Sequence, residues 1–469
     1  MLSARDAPVS FGLLLGLASA VGLSGCSASP LPAARRSRPV GSEAAPAPIS
    51  MQAAGGAAAP PDAAVQARRR VAQMLQRVAA FRHLAPRSSV ESSVLPRAEL
   101  LARVREHVRR QIPREVIESQ GEFLIGLGLV PPDFDYEAGT LGLLEGELAG
   151  FYEPSDKTMY LAADLPEPVA DATLAHELVH ALQDQYYDLG GRLSYQPEGN
   201  DRESAVQAMA EGDATSAMMD VILAEGQRRA TDVPDDLFAA GVEASLAGGP
   251  EGMKVPRVLR ASLVVPYVDG VRFVHALRRR GDWGAVDDAW RVPPETTEQL
   301  LHLDKFDARE KGEEVPAAAP PEPQGWKAVY DDVFGEQGLR IAMEEWTSKR
   351  VAAGAAAGWG GDRGTVFRAG ARFAVAWQVR FDAGKRGEPD AEAQEAFRAV
   401  AAAIRRGATG GGSVCTERGP LGPWAVARKG RDVVIVAGPY RREGARVDSD
   451  AVCAQTTRWA ADILGRRSR

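Results

Sequence analysis

Residues 176–180 read His-Glu-Leu-Val-His. Imidazoles four positions apart project from one face of an α-helix, so both can reach a single metal ion. The carboxylate between them stands close enough to handle a proton from a water activated there. The spacing predicts a helix opening near Asp171 as N-cap and stopped by Gly190 and Gly191. Leu174, Leu178 and Leu182 form a stripe about 200° around that helix from the histidines. One side should therefore pack while the other faces a cleft.

Two histidines do not complete a catalytic zinc site, which normally takes three protein ligands and keeps one position for water. Gln183 and Tyr186 stand where a metzincin needs glycine and histidine. A second helix is expected over Asp201 to Ala224, and Glu211 on it is the favoured third ligand, because Gly212 and Ala214 leave the backbone uncrowded for close helix packing. Glu203, two turns earlier on roughly the same face, is the competitor. With Glu211 the site resembles the gluzincins. Asp184 and Asp213 are candidates to hydrogen-bond the ligating imidazoles and fix their orientation. Zinc would activate a water and polarise a carbonyl, with Glu177 as general base. A third cluster begins with Pro266-Tyr267-Val268-Asp269-Gly270, read as preceding an amphipathic helix with Phe273 and Val274, and continues at residues 293–302. It offers His302, then Tyr267, as the group stabilising the oxyanion of a tetrahedral intermediate. Residues 147–162 read as strand, turn and strand, with Pro154, Ser155 and Asp156 in the turn, and strand 158–163 is a candidate to pair with an extended peptide.

The segments GFYEP (150–154), HELVHALQDQ (176–185), EGDA (211–214), PYVDG (266–270), TTEQLLH (296–302) and GWGGDR (358–363) together resemble a largely uncharacterised family of bacterial HExxH zinc metallopeptidases. The resemblance covers roughly 143–306 and continues more thinly through GWGGDR. Thr296 and Leu303 stand where family members often carry serine and proline. The resemblance implies a zincin-like fold and peptide or protein substrates.

The elements that must position these groups can be read outward from them. Arg5 and the apolar run Phe11 to Leu23 form a secretory signal ending in Leu23-Ser24-Gly25-Cys26, which resembles the lipobox of bacterial lipoproteins. That implies cleavage of 1–25, a lipid anchor to the membrane on Cys26 and a place outside the cytoplasm; Ser27 points to the outer membrane in a cell that has one. Residues 26–64, rich in Ala, Pro, Ser and Gly, read as a disordered tether. From 65 to 130 the pattern is helical, with Val71, Met74, Leu75 and Val78 at i, i+3, i+4, i+7, and an amphipathic stretch from Leu100 to Ile117 whose arginines form a solvated face. The metallopeptidase domain is expected over 131–309 and a linker over 310–324. A separate α+β domain follows over 325–469, helical at 338–350 and 391–405 and strand-like at 373–381 and 432–437. Trp359 and its glycines read as a tight turn packed by an aromatic. The fold class is thus α+β: a mainly helical zincin-like domain with a small edge sheet, followed by a separate α+β module.

Three cysteines divide as one lipidation site and one expected disulfide, Cys415 with Cys453. The net charge of −7 gives no support for nucleic-acid binding. No phosphate-binding loop, GxSxG elbow or paired CxxC is present. The expected activity is zinc-dependent peptide hydrolysis. The alternatives are a non-catalytic zinc-containing scaffold and a zinc hydrolase acting on a non-peptide amide; oligomeric state is not readable.

Overall fold

The computed structural model describes residues 61–466 except 195, 197, 248–254, 385–389, 405–412, 418–421, 445 and 450. The signal, Cys26 and nearly all of the tether lie outside the described residues. Among the described residues no helix is long and apolar enough to cross a membrane.

The first helix, α1 (Pro61–Arg82), opens inside the span assigned to the tether. It buries Val71, Met74, Leu75 and Val78, the stripe read from the sequence. A short strand, β1 (Glu91–Leu95), interrupts the expected helical run. Then α2 (Arg97–Gln111) and α3 (Arg114–Gly126) follow, each directly after a proline, where no backbone donor is needed. After α4 (Tyr136–Glu147) come β2 (Gly150–Glu153) and β3 (Thr158–Ala162), the expected hairpin. The sheet order is β1-β3-β2, with β3 parallel to β1 and antiparallel to β2. Strand β3 is therefore central, and neither of its edges is open to the peptide expected to pair with 158–163.

Helix α5 (Glu167–Tyr187) starts before Asp171, with Pro166 at its N-terminal boundary. Asp171 lies inside the helix and pairs with Arg70 at 2.7 Å instead of capping. Asp188 ends the helix in the left-handed conformation (φ 55°), and Gly190 and Gly191 fall in the single turn α6 (Leu189–Arg192). Next come α7 (Asn200–Leu223), matching the expected second helix, and α8 (Asp235–Ala247). The PYVDG segment does not precede a helix. It lies within α9 (Arg257–Arg291), whose regular geometry breaks only at Gly281 and Asp282. Packing explains this: Val264, Tyr267, Val268 and Val271 form an apolar stripe against Phe238 and Val242 of α8 that runs straight past Pro266. Two short helices, α10 (Thr297–Leu301) and α11 (Leu303–Ala308), complete this half.

The C-terminal half holds β4 (Lys327–Asp332), α12 (Gly335–Trp346), α13 (Lys349–Ala356), β5 (Trp359–Ala369), β6 (Arg372–Phe381), α14 (Ala391–Ile404), β7 (Ser413–Thr416), β8 (Trp424–Lys429), β9 (Asp432–Glu443), β10 (Arg446–Asp448) and α15 (Cys453–Arg466). The strands form an antiparallel sheet in the order β4-β5-β6-β9-β8-β7, with β10 on β9. GWGGDR opens β5, so Trp359 is a buried strand residue and not part of a turn. Cys415 and Cys453 are joined by a disulfide, Cα to Cα 5.7 Å.

This half is not set apart from the rest. One buried cluster runs from Phe123 and Ile125 of α3 through Leu259 of α9 to Val375 and Trp377 of β6. A Cβ on Gly126 would fall 2.6 Å from Val375. The segment 310–324 lies on the sheet as a strap: Val315 and Ala319 are buried, Glu313 N donates to Gly360 O, and Trp459 Nε1 donates to Ala319 O at 2.7 Å. Its Pro, Ala and Glu content removes helical and strand periodicity, and that loss of pattern reads as an open linker even where the backbone is anchored.

Candidate active site

His176, Glu177 and His180 sit midway along α5, and Glu211 midway along α7. Gly212 lets α7 meet α9 backbone to backbone: a Cβ there would lie 2.1 Å from the Gly270 carbonyl carbon, and one on Gly270 1.8 Å from Ala208 O. No larger residue fits at either crossing point.

His176 Nε2 lies 3.1 Å from Glu211 Oε2, His180 Nε2 3.6 Å from the same oxygen, and the two Nε2 atoms 3.1 Å apart. These three residues each offer one ligand atom, all within 4.8 Å of one another, and could hold a metal ion. His180 Nδ1 donates to Gln183 Oε1 at 2.8 Å, and Gln183 Nε2 donates to Ala210 O at 3.0 Å. The Ala210 carbonyl fixes which end of the amide faces His180, so the neutral ring keeps its proton on Nδ1 and turns Nε2 to the cluster.

The electrostatics of the cluster turn on Glu211, whose carboxylate faces the two imidazoles. Burial opposes charge on Glu211, yet hydrogen bonds from the two imidazoles hold its carboxyl far below the usual carboxylate range. Burial likewise opposes charge on His180, but Glu211 and Glu177 outweigh it and push its pKa up to about 9. His176 is held below the ordinary imidazole range by burial. Glu177, only 1% exposed, accepts a hydrogen bond on Oε2 from Tyr152 N at 3.0 Å, while its Oε1 has no partner among the described residues. Burial pushes its pKa up to about 8.

Both faces of α5 are covered. His176 and His180 are each 5% exposed while Leu174, Leu178 and Leu182 are fully buried, so the expected division into packed side and open cleft is not seen in α5 itself. The apolar stripe meets α1 and its neighbours; the histidine face meets α7.

The competing residue Glu203 is buried away from the cluster. Neither of its oxygens has a hydrogen-bond partner among the described residues, and burial together with Asp332 pushes its pKa up to about 9. Neither Asp184 nor Asp213 orients an imidazole. Asp213 follows Glu211 by two residues, about 200° around the helix, and there it accepts from Arg82 at 2.6 Å and Trp290 Nε1 at 2.8 Å. Asp184 accepts instead from Tyr152 Oη at 3.0 Å, Lys157 Nζ at 2.5 Å and Gly190 N at 3.2 Å. The orienting group is Gln183, which sequence reasoning missed; its position three residues after His180, on the same helical face, was the available signal.

Of the two oxyanion candidates, Tyr267 has its ring 5.9 Å from that of His176. His302 is engaged elsewhere. Its Nε2 pairs with Glu336 at 2.9 Å, and it lines a cavity of about 300 Å³ with Asp269, Arg272 and Arg340. The structure thus places Tyr267 beside the histidines and His302 away from them, because α10 ends at His302 and the ring turns towards Glu336 of α12.

A second acidic group, Glu298, Glu310 and Asp382, also has metal-like spacing. Lys305 Nζ fills its centre, at 2.5, 2.7 and 2.5 Å from the three carboxylates. The ammonium is the cation of that cluster, tying α10 and the strap to the end of β6.

Residues 322–448, from just before β4 through β10, match a family model described as a domain of unknown function, DUF8575. No curated protein and no solved structure matches the chain.

Proposed function

We propose that the chain is a zinc-dependent peptidase of gluzincin type, anchored outside the cytoplasm by lipid on Cys26. The observation that carries this reading is the convergence of two imidazole nitrogens and one carboxylate oxygen at separations of 3.1, 3.1 and 3.6 Å. Bonds of ~2.0–2.2 Å in a tetrahedral arrangement set ligand atoms about 3.3–3.6 Å apart. One of the three separations falls in that range and two are short of it by about 0.2 Å, so the donor set suits zinc after a small spreading of the side chains, with a fourth position left over. His176, His180 and Glu211 would hold the ion, and Gln183, by holding the Nδ1 proton, leaves Nε2 as the nitrogen of His180 that would bind it. When bound, zinc supplies Lewis acidity towards the substrate carbonyl and the attacking water.

Glu177 has the properties of the general base. Its Oε1 lacks a protein partner, and a pKa near 8 suits a group that must take a proton from water and return it to the leaving amine close to neutral pH. Tyr267, beside His176, is assigned to the oxyanion.

Metal content, and cleavage of an unfolded protein with and without chelator, test the reading. Glu177→Gln should retain zinc and lose about 10²–10⁴-fold in cleavage rate, whereas Glu211→Ala should lose the zinc itself. Undiminished cleavage by zinc-loaded Glu177→Gln, or a parent chain that binds no zinc, would sink it.

A further inference from the structure

Tyr152 is tied to one face of α5 at both of its ends. Its backbone N–H donates to Glu177 Oε2 at 3.0 Å, and its phenol donates to Asp184 Oδ2 at 3.0 Å. Glu177 and Asp184 are seven residues apart, which on a helix is the same face about 10 Å further along. Three more contacts hold Asp184 and the hairpin together. Lys157 Nζ donates to Asp184 Oδ2 at 2.5 Å, and Gly190 N donates to Oδ1 at 3.2 Å. The hairpin turn rests directly on α6, since a Cβ on Gly190 would fall 2.7 Å from Pro154 Cβ. Asp184 and its Tyr152 bond are buried; Lys157 is largely exposed.

We propose that Asp184, acting through Tyr152, is the positioning residue for Glu177, with Lys157 as its counter-ion and Gly190 as the seat of the hairpin turn. The proposal rests on the peptidase reading above. A carboxylate that works as a base must present one oxygen to the water at a fixed place, and rotation of the group exchanges its two oxygens. The Tyr152 amide holds Oε2, which leaves Oε1 to do the work. Strand β2 supplies that amide, and β2 keeps its height above α5 only while Asp184 holds the phenol and the turn. Displacement of a catalytic group by 1 Å is enough to cost about 100-fold in rate. Exposed Lys157 is screened by water, so its share is the smaller.

The test uses the full, zinc-loaded chain with Tyr152→Phe, Asp184→Ala and the double variant. Each single variant should lower kcat by about 10- to 100-fold, with KM and zinc content unchanged. The double should be no slower than the slower single, because both remove the same bond. Lys157→Met should lose less than either. A second readout needs no turnover: hydrogen exchange of the Tyr152 amide should accelerate by roughly tenfold or more in Asp184→Ala while amides of residues 174–182 keep their protection. The proposal is overturned if Tyr152→Phe keeps kcat within about twofold of the parent, if the losses appear in KM or zinc content, if the single effects multiply, or if Tyr152 exchange is unchanged. A parent chain that holds zinc but cleaves nothing would remove the peptidase reading instead, and the exchange readout would still decide whether Asp184 holds Tyr152 against Glu177.

Discussion

Glu203 and Glu211 stand two turns apart on α7 and share a residue type, yet their surroundings drive them in opposite directions. Glu211 meets two imidazoles and keeps its charge; Glu203 meets only burial and Asp332 and keeps its proton. Because the folded-state pKa of Glu203 lies at about 9, above the ordinary 4.5, the folded chain binds this proton more tightly than the unfolded one. Its contribution is fully present below about pH 4.5 and fades as pH rises towards 9, at up to about 1.4 kcal/mol per pH unit. Glu203→Gln should therefore raise the melting temperature at pH 8, with the gap closing towards pH 4.5; a gap that does not change with pH would contradict the assignment. The oxyanion choice has its own contrast. Tyr267→Phe should lower kcat by about 10²–10³-fold, while His302→Gln should leave kcat intact and lower only stability, because His302 is spent on Glu336. The juxtaposition of His176 and His180 was legible in the sequence because its geometry is confined to one turn of one helix. The partners of the two neighbouring aspartates were not: instead of meeting an imidazole, Asp184 reaches the hairpin and Asp213 reaches Arg82 of α1, 27 and 131 positions away.

Helices α5, α7 and α9 form the frame, and its tightest joint is glycine on glycine. Gly212 and Gly270 bring the backbones of α7 and α9 into contact one residue from Glu211 and three from Tyr267. Gly270→Ala should destabilise the chain by about 1–3 kcal/mol. It should also weaken zinc binding, since α7 can relieve the clash only by moving; chemical denaturation and metal titration of the variant measure both, and an alanine tolerated with unchanged zinc affinity would show that the joint does not set Glu211. Helix existence was readable from the stripes on α1 and α5, and the small residues flanking Glu211 pointed to the close approach that Gly212 makes to Gly270. Boundaries and interruptions were less so. PYVDG reads as preceding a helix, but it lies inside one, because the apolar stripe on both sides of Pro266 is buried against α8.

At the scale of the molecule, the motifs left without a chemical role converge on the N-terminus of α12. Asp362 of GWGGDR accepts from Phe334 N, Gly335 N, Trp359 Nε1 and Trp377 Nε1. Thr297 of TTEQLLH accepts from Gln337 N while donating to Asp201 at 2.6 Å. Asp269 of PYVDG accepts from Gln337 Nε2 and from Arg340. These residues join the helical half to the sheet, and Lys305 adds a buried tie between them. A chain ending at Arg309 should accordingly lack a cooperative melting transition, because it would expose the faces of α3 and α9 that pack against the sheet; the full chain should unfold in one step. Two separate transitions, or a sharp transition in the shortened chain, would contradict a shared core. The chain's chemistry and most of its helices are written locally, in spacing and periodicity, since a helix brings residues four apart together whatever else the protein does. Where Asp184 and Asp213 find their partners, how far His302 lies from the histidines, and whether the two halves are one body depend on contacts between segments far apart in the chain. Those contacts exist only once the helices have packed, so no local pattern could encode them.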